Sequence, residues 1–591
     1  MAAETSRQVE IALVGIACAT VAWALEGAEH AHVRAEAGFL VAQAALVTVA
    51  ISEHAVVIPR IWLDASRTSP DNGLVYVLLG PLLCASLLLA HSQDTTSFTA
   101  EDQLQYARAI FWAASACAMR FQAFTMGWVP KSPLLSAAAD LLAALSSGVM
   151  WVLGSTLAGL RVDLASGIVW CTGLSLCALV MQKFLIDIWT RAFKKSFTVG
   201  EAFCVIIAIA LTFTDFVLLT LERTMISSFT LPFGAFNERA PLWVALQGGL
   251  LGVLALPLFM NSFLKKHAIL DNETLFVDPR DPSFNFRAGP TSPDNTPLLS
   301  WNRDALAPKD LVIFVGIVGV WLGGVISFWV GFLLGGQHPV WFVRDYTFSS
   351  AEHAKALVYW IAVLGLGLPV IHLIASRAGW PLIITRKLYH ILALAIFAPP
   401  MVAVPAFLAL SFGIAVALLL FIEVVRICRI PPFGAWIHAF LRNYTDSRDE
   451  GTTILTHIYL LLGCAIPLWL FTDIAGPSTS EARFAGLAIL GAGDAAGAII
   501  GSQLGRRHWP GGRKTFEGTL AAVLSTLAVL RALHWAHAAD KPFNWPVVFV
   551  ATTLTCLIEA FTKQIDNLTL PVLYAALLAL PQLPMPRLPF Y

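Results

Sequence analysis

The 591-residue chain has few charged residues. Asp, Glu, Lys and Arg together make up 13% of it, whereas soluble domains carry roughly a quarter. The formal net charge is zero, so no global field attracts nucleic acid and we expect no nucleic-acid partner. The motifs HExxH, GxSxG and the Rossmann glycine fingerprint are also missing. These absences argue against zincin peptidases, α/β-hydrolases and Rossmann dinucleotide-binding enzymes.

Paired cysteine motifs are absent as well. The nine cysteines lie almost entirely inside apolar runs, and none of them forms a CxxC pair. This pattern is typical of small buried hydrophobic side chains. We therefore predict neither a disulfide framework nor a zinc site.

Apolar residues are abundant, at 57% of the chain with a mean hydropathy of +0.72. Repeated apolar windows of about 20 residues predict an all-α, polytopic transmembrane protein with about 15 spans. Helices are expected because backbone hydrogen bonds cannot be left open in lipid. We interpret the run 11–25 as a first transmembrane helix and not as a cleaved leader. Residues 388–425 fit either one long span or two short ones.

Polar and basic segments suggest four regions. We predict an N-terminal multi-span region at 1–264, a polar extramembrane linker at 265–310, connecting spans at 311–380 and a C-terminal membrane domain at 381–591. The linker is rich in Pro, Asp and Asn and has no helical periodicity. Basic residues gather at 194–195, 265–266, 386–387, 426–429 and 506–514, and the positive-inside rule places such loops in the cytosol.

The segment 491–519 carries the most chemical information. Asp494 lies in an apolar run, where a carboxylate costs about 2.5–3.5 kcal/mol unless it is paired or hydrated. Glycines recur at every fourth position and form one bare helical stripe: Gly493, Gly497, Gly501 and Gly505. Close helix packing is the simplest role for this stripe, although it would also let a phosphate approach the backbone.

A cationic loop follows the glycine stripe. Four cations flank or lie in a glycine-rich turn: Arg506, Arg507, Arg513 and Lys514. Thr515 is a predicted N-cap of the next helix, and a helix N-terminus adds free N–H groups that bind anions. With Asp494 and Glu517 as acids for Mg²⁺, these residues predict a polyanion site, although positive-inside topology alone would also explain the charges. The loop is not a P-loop, because Arg513 separates Gly512 from Lys514.

Two other clusters are candidates for function. Arg386, Lys387 and His390 can meet on one helical face, either in a site or as basic residues at a membrane interface. Charged residues inside or beside later spans could form buried ion pairs or contribute to function: Glu423, Arg426, Glu559, Lys563 and Asp566.

The segment GDAAGAIIGSQLGRRHWPGGRKTFEGT closely resembles the nucleotide-binding signature of the dolichol kinases and the related CTP-dependent polyprenol, phytol and diacylglycerol kinases. The family pattern has an Asp, small residues at four-residue spacing, a tryptophan loop and Lys-Thr-x-Glu-Gly. It falls on these residues: Asp494, Gly501, Gly505, Trp509, Lys514, Thr515, Glu517 and Gly518. TRKLYH at 385–390 resembles the upstream Arg-Lys-x-x-His element. Gly497 and Arg513 depart mildly from the pattern, and the resemblance covers roughly residues 380–580.

The resemblance implies that region 381–591 is a CTP-dependent lipid-alcohol kinase domain. Such an enzyme transfers the γ-phosphate of CTP to the terminal hydroxyl of dolichol or another polyprenol. Asp494, Glu517 and His390 become the catalytic candidates, and Asp494 and Glu517 the candidates for Mg²⁺ or another divalent cation. The nucleotide-binding candidates are Arg506, Arg507, Arg513, Lys514, Thr515, Gly501, Gly505, Arg386 and Lys387.

The long N-terminal region favours a dolichol kinase of the endoplasmic reticulum membrane, with its nucleotide site facing the cytosol. Three alternatives remain open from the sequence: a phytol or diacylglycerol kinase, a cytidylyltransferase similar to CDP-diacylglycerol synthase, and a membrane transporter. The transporter is suggested by acids and glycines inside spans. The cytidylyltransferase would release pyrophosphate in place of CDP.

Overall fold

A computed structural model describes most of the chain. The described residues are 2–27, 34–52, 58, 60–67, 72–92, 100–128, 132–157, 164–192, 196–224, 239–267, 307–378, 382–442, 453–472, 474, 479–512, 514–538 and 542–581. Within these ranges the structure is helical and has no β-strand; an isolated bridge joins His508 to Thr515. The predicted all-α class is confirmed.

Ten α-helices lie in the described N-terminal part of the fold. They are α1 (Ala2–Gly27), α2 (Arg34–Ser52), α3 (Arg60–Ala65), α4 (Leu79–Ser92), α5 (Ala100–Thr125), α6 (Pro133–Leu157), α7 (Leu164–Ala192), α8 (Val199–Thr224), α9 (Pro241–Phe259) and α10 (Asn261–His267). A 3₁₀ turn at Leu74–Leu78 leads directly into α4.

Thirteen further α-helices follow in the described C-terminal part. They are α11 (Pro308–Val318), α12 (Ser327–Leu333), α13 (Pro339–Thr347), α14 (Ala351–Ala378), α15 (Leu382–Ala403), α16 (Pro405–Ile427), α17 (Phe433–Arg442), α18 (Thr456–Phe471), α19 (Thr479–Ala482), α20 (Ala495–Leu504), α21 (Phe516–Ala538), α22 (Trp545–Phe561) and α23 (Asp566–Leu578). Two π-helical segments continue this series: Gly319–Ile326 joins α11 to α12, and Leu487–Asp494 leads into α20.

Eleven of the described helical segments are long and apolar enough to cross a membrane, and four shorter apolar helices accompany them. The polytopic architecture is therefore confirmed, and the predicted count of about 15 spans is approximate. The first of the eleven, Ser6–Leu25 within α1, contains the run that the sequence predicted as the first span. Residues 388–425 form two helices, because α15 ends at Ala403 and Pro405 begins α16.

The predicted linker at 265–310 lies mostly outside the described residues. At its ends, α10 continues to His267 and α11 begins at Pro308. The four regional boundaries therefore stay predictions. On either side of this gap the described parts share one core: α1 packs against α22, α4 packs against α23, and a single buried hydrophobic cluster continues through both parts. The N-terminal helices thus lie directly against the helices that end the fold.

Candidate functional site

Asp494 is the last residue of the π-helical segment Leu487–Asp494, and the residue is only 7% exposed. π-helical turns are frequent at functional sites. Helix α15 supplies the partners of this carboxylate: Lys387 Nζ lies 2.5 Å and His390 Nδ1 3.2 Å from Asp494 Oδ2. His390 Nδ1 also lies 3.1 Å from the Leu490 carbonyl oxygen. A buried carboxylate needs such pairing, so the structure explains how Asp494 is accommodated.

The glycine stripe brings α20 against the first turn of α21. A Cβ added to Gly518 would lie 2.8 Å from the Gly497 carbonyl oxygen and 3.1 Å from Gly501 Cα. A Cβ at Gly505 would lie 2.6 Å from Thr515 Oγ1. The stripe therefore acts in close helix packing, as small residues do between membrane helices. This packing holds Asp494 and the N-terminus of α21 in one site.

The cationic loop between α20 and α21 is a tight hairpin. Trp509 N–H donates to the Lys514 carbonyl oxygen (3.0 Å), and Phe516 N–H donates to the Arg507 carbonyl oxygen (2.8 Å). Gly511 permits the turn with a φ of +76°. The Trp509 ring stacks on Phe516 at 3.7 Å between centroids, and its Nε1 donates to Thr519 Oγ1 at 2.9 Å. These contacts fix the hairpin onto the helix that follows it.

Thr515 caps the N-terminus of α21. Its Oγ1 accepts a hydrogen bond from the Gly518 N–H at 3.2 Å, which is the geometry of an N-cap residue. Thr515, Gly518 and Thr519 all line the same cavity as Asp494. The first turn of a helix, with its partial positive charge, thus borders this cavity.

The cavity has a volume of about 350 Å³, within the range of small-molecule sites. Charged side chains of both signs line it, and these are Arg386, Lys387, Lys514, Asp494, Glu559 and Asp566. They come from four places in the fold: α15, the π-helical segment before α20, the hairpin, and the adjoining ends of α22 and α23. The arrangement can hold a polyanion and a cation together.

Lys514 and Glu559 form the second ion pair of the cavity. Lys514 Nζ lies 2.8 Å from Glu559 Oε1. Burial alone would lower the pKa of the Lys514 ammonium, but the Glu559 and Asp566 carboxylates outweigh it and raise this pKa. Glu559 is 7% exposed, and its Oε2 is buried without a hydrogen-bond partner among the described residues. Because Glu559 lines the cavity, this oxygen makes Glu559 a candidate for binding a cation there.

The structure brings together most residues of the sequence-predicted site. Six of the predicted residues line the cavity: Asp494, Arg386, Lys387, Lys514, Thr515 and Gly501. His390 lies behind Asp494 and contacts its carboxylate. The other described members do not line the cavity, and these are Gly505, Arg506, Arg507 and Glu517.

The residues that do not line the cavity lie around the hairpin. Arg506 and Arg507 are exposed where the hairpin begins, and Glu517 accepts a hydrogen bond from the Arg507 N–H at 3.3 Å. Arg513 lies outside the described residues. The proposed roles of these four residues in phosphate and metal binding stay predictions.

Sequence reasoning placed Glu559 and Asp566 among possible ion pairs and not in the site. In the sequence they are recognisable only as charged residues near the end of a late apolar run. In the structure both of them line the cavity. Glu559 pairs with Lys514. The other pair named from the sequence is confirmed: Arg426 Nη2 lies 2.7 Å from Glu423 Oε1 in a buried ion pair.

The known proteins that are similar to this chain include dolichol kinases from several organisms. The dolichol kinase EVAN of Arabidopsis thaliana is 29% identical over 87% of this chain and 89% of its own length. The dolichol kinase sec59 of Schizosaccharomyces pombe is 36% identical over 46% of this chain and 57% of its own length. The human dolichol kinase is 31% identical over 45% of this chain and 51% of its own length.

The chain is similar to dolichol kinases of plants, yeast and mammals. The resemblance drawn from the segment after Gly491 is therefore confirmed. The chain matches about half of the length of the fission-yeast and human dolichol kinases, whereas its match to the plant dolichol kinase spans nearly the whole of both chains. A match over 87% of the chain necessarily extends into the N-terminal helices. No family model matches the chain, and no solved structure matches it significantly.

Proposed function

We propose that the protein is a dolichol kinase that transfers the γ-phosphate of CTP to the terminal hydroxyl of dolichol, giving dolichyl phosphate and CDP. One observation carries this proposal. Asp494, held by Lys387 and His390, lines the same cavity as Lys514 and the N-terminus of α21. A fixed carboxylate beside cations and free helix N–H groups is what phosphoryl transfer to an alcohol requires.

The cations of the cavity would hold the triphosphate. Lys387, Lys514 and Arg386 line it, and the first turn of α21 adds backbone N–H donors. Arg506 and Arg507 lie exposed at the start of the hairpin, where they would meet the outer part of a nucleotide. Their exposure and the positive-inside rule support a cytosolic orientation in the membrane of the endoplasmic reticulum.

Two carboxylates of the cavity fit a divalent cation such as Mg²⁺. Among the described residues, no group of three or more His, Cys, Asp and Glu side chains could hold a metal ion alone. Asp494 and Glu559 both line the cavity, and Glu559 Oε2 has no hydrogen-bond partner among the described residues. Mg²⁺ usually takes one or two protein carboxylates and completes its shell with water and substrate phosphates. When bound, it would neutralise charge that develops on the phosphates.

The alcohol must lose its proton as its oxygen attacks the γ-phosphorus. The new oxygen–phosphorus bond forms as the bond between the γ-phosphorus and the β–γ bridging oxygen breaks, and CDP leaves. We assign the proton to Asp494, which lines the cavity, and a positioning role to His390, which contacts Asp494 from behind it. The polyprenyl chain would stay in the apolar phase and present only its hydroxyl to the cavity.

The test uses the purified protein in lipid nanodiscs with γ-labelled CTP and dolichol. We expect label in dolichyl phosphate for the wild type and a loss on the order of 10²–10⁴-fold for Asp494→Asn and Lys514→Ala. Lys355→Ala is the matched control, since Lys355 is 71% exposed on α14 and pairs with Glu352. No lipid label with the wild type, or full labelling by both site variants, would overturn the proposal.

The products separate the remaining alternatives, which the dolichol kinase relatives do not favour. A cytidylyltransferase would leave the γ-label in pyrophosphate and attach CMP to the lipid. A transporter would move substrate without forming labelled lipid. Replacing dolichol by phytol or diacylglycerol in the same assay identifies the preferred lipid alcohol.

A further inference from the structure

The loop between α22 and α23 forms one wall of the cavity. Five residues at its two ends line the cavity: Glu559 and Ala560 near the end of α22, Ile565 as the last loop residue, and Asp566 and Asn567 at the start of α23. The loop itself is short, running from Thr562 to Ile565. A small displacement of its backbone would therefore move a pocket carboxylate on each side.

Helix α8 of the N-terminal region holds this loop through a buried carboxylate. Glu201 Oε1 accepts a hydrogen bond from the Ile565 N–H at 2.5 Å. Arg67 Nη2 lies 2.9 Å from Oε1 and 3.0 Å from Oε2 of the same Glu201. Glu201 is 1% exposed, and a charge buried to this extent is destabilising unless it is fully paired. The pair with Arg67 thus keeps an anion directed at one backbone N–H of the cavity wall.

Neighbouring N-terminal residues bind the rest of the loop. Thr198 Oγ1 donates to Gln564 Oε1 at 2.7 Å, and Gln564 is fully buried. The Tyr76 hydroxyl donates to Glu10 Oε1 at 2.7 Å and is hydrogen-bonded to Thr562 Oγ1 at 2.8 Å. Two N-terminal segments, the turn before α4 and the start of α8, therefore bind three loop residues, Thr562, Gln564 and Ile565, and Glu10 of α1 supports this contact through Tyr76.

The backbone of the turn before α4 also lies close to the loop and to α8. A Cβ added to Gly73, whose φ is +66°, would lie 2.6 Å from Gln564 Oε1 and 2.7 Å from Thr198 Oγ1. The Gly200 N–H donates to the Asn72 carbonyl oxygen at 2.8 Å, so the turn and α8 are also joined to each other. The contact between the two parts of the chain is built to fix this loop and leaves no room for a side chain at Gly73.

From these contacts we propose that the N-terminal helices position the kinase site, with Glu201 and Thr198 as positioning residues that act through Ile565 and Gln564. The inference rests on the proposed function for its substrates. It gives the N-terminal region a role in the reaction although none of the described residues of that region lines the cavity. We call the contacts of Glu201 with Ile565 and of Thr198 with Gln564 the clamp. A misplacement of about 1 Å in a catalytic group can reduce the rate by about 10²-fold, so loss of the clamp should lower the rate measurably.

The test compares two buried ion pairs of the N-terminal region. Glu201→Gln weakens the contact with Ile565, and Thr198→Val removes the hydroxyl that donates to Gln564 and accepts from the Glu201 N–H, with little change of side-chain shape. Glu36→Gln is the matched control, because Glu36 and Arg108 form a fully buried pair, 2.8 Å apart, whose hydrogen bonds go to Trp112 and Ser155. Each protein is prepared in nanodiscs, the folded fraction is measured, and kcat, KM for CTP and equilibrium CTP binding are determined per folded molecule.

We expect Glu201→Gln to lower kcat/KM by about 10–100-fold and Thr198→Val by about threefold, both with weaker CTP binding. Glu36→Gln should lower thermal stability while kcat and KM per folded molecule stay at the wild-type values. The inference is overturned if the clamp variants keep wild-type kcat, KM and CTP binding, or if Glu36→Gln changes these constants equally.

The same data separate the inference from the proposed function. If the wild type binds CTP but does not phosphorylate dolichol, the proposed function is wrong, and weaker CTP binding by the clamp variants alone still supports the inference. If the wild type binds no CTP, both proposals are overturned. If the wild type is active and the clamp variants match it, only the inference is lost.

Discussion

The ion pairs that lie away from the cavity differ from those that line it. Away from the cavity, five buried or partly buried pairs in the described residues use arginine, and these are Arg67–Glu201, Arg108–Glu36, Arg120–Asp140, Arg239–Asp215 and Arg426–Glu423. Two contacts there use another base: His534 with Glu481, and the exposed Lys183 with Asp140. At the cavity two lysines, Lys387 and Lys514, lie within hydrogen-bond distance of a carboxylate. Each lysine binds one carboxylate oxygen.

This difference matches the chemistry of the two cations. The guanidinium of Arg426 uses two nitrogens to bind both oxygens of Glu423, at 2.7 and 2.8 Å, and so completes the pair. The ammonium of Lys514 leaves Glu559 Oε2 unbonded among the described residues. An ammonium is a point charge on a flexible stem and exchanges partners without breaking a planar fork. The Arg426–Glu423 pair is therefore suited to hold the fold, and we expect the lysine pairs of the cavity to exchange a carboxylate for a phosphate.

The largest effect is expected when the unbonded oxygen of the lysine pair is replaced. Glu559→Gln should lower kcat by about 10²-fold and raise the Mg²⁺ concentration needed for half-maximal activity, because it removes a cavity carboxylate. Glu517→Gln should lower activity by about tenfold with an unchanged Mg²⁺ requirement, since Glu517 contacts the hairpin backbone and does not line the cavity. Mg²⁺ titrations of both variants make the comparison.

The opposite pattern would contradict our assignment. If Glu517→Gln shifts the Mg²⁺ requirement and Glu559→Gln does not, the metal role predicted for Glu517 from the sequence is correct and Glu559 serves only Lys514. Replacing Asp345, which is exposed and paired with Arg344 on α13, by Asn controls for the loss of one negative charge at the membrane surface.

A smaller effect is expected when the two kinds of cation are interchanged. Lys514→Arg should raise KM for CTP by about tenfold, because a guanidinium would bind both oxygens of Glu559 and hold its partner. Arg108→Lys in the N-terminal pair should leave KM unchanged and lower the free energy of unfolding by about 1–3 kcal/mol, because the ammonium leaves buried polar groups unsatisfied. Steady-state kinetics and thermal unfolding in nanodiscs measure both changes. An equal effect of the two substitutions on KM would remove the distinction between the pairs.

The fold class was predictable because it depends on composition and on the length of apolar runs. Backbone hydrogen bonding in lipid then leaves helices as the default. The sequence alone did not show whether residues 388–425 form one helix or two. The answer depends on whether a proline in this run begins a new helix or only bends an existing one. The structure resolves this at Pro405.

The site was predictable where its residues are close in sequence. Asp494, Lys514 and Thr515 lie within one segment whose spacing already suggested a polyanion site. Glu559 was missed because its partnership with Lys514 depends on how α22 packs, which no local pattern encodes. The clamp at Glu201 was beyond sequence reasoning for the same reason, since Glu201 and Ile565 are 364 residues apart.

The smallest effect concerns pH. The pKa of Lys514 is raised from an ordinary value of 10.5, since the Glu559 and Asp566 carboxylates outweigh the opposing effect of burial. A group whose pKa is raised by folding stabilises the fold fully below its unfolded pKa, and this stabilisation is lost only as pH rises through the folded pKa. Lys514 should thus stay charged from about pH 7.5 to 9, and KM for CTP should change less than about twofold in that range. In Lys514→His, whose imidazole has an ordinary pKa of about 6.5, most of the charge should already be lost at the lower limit. A wild-type KM for CTP that rises about tenfold by pH 9 would show that Lys514 loses its proton in the cavity. Lys514 would then not be the permanent cation that we expect to bind the phosphates of CTP.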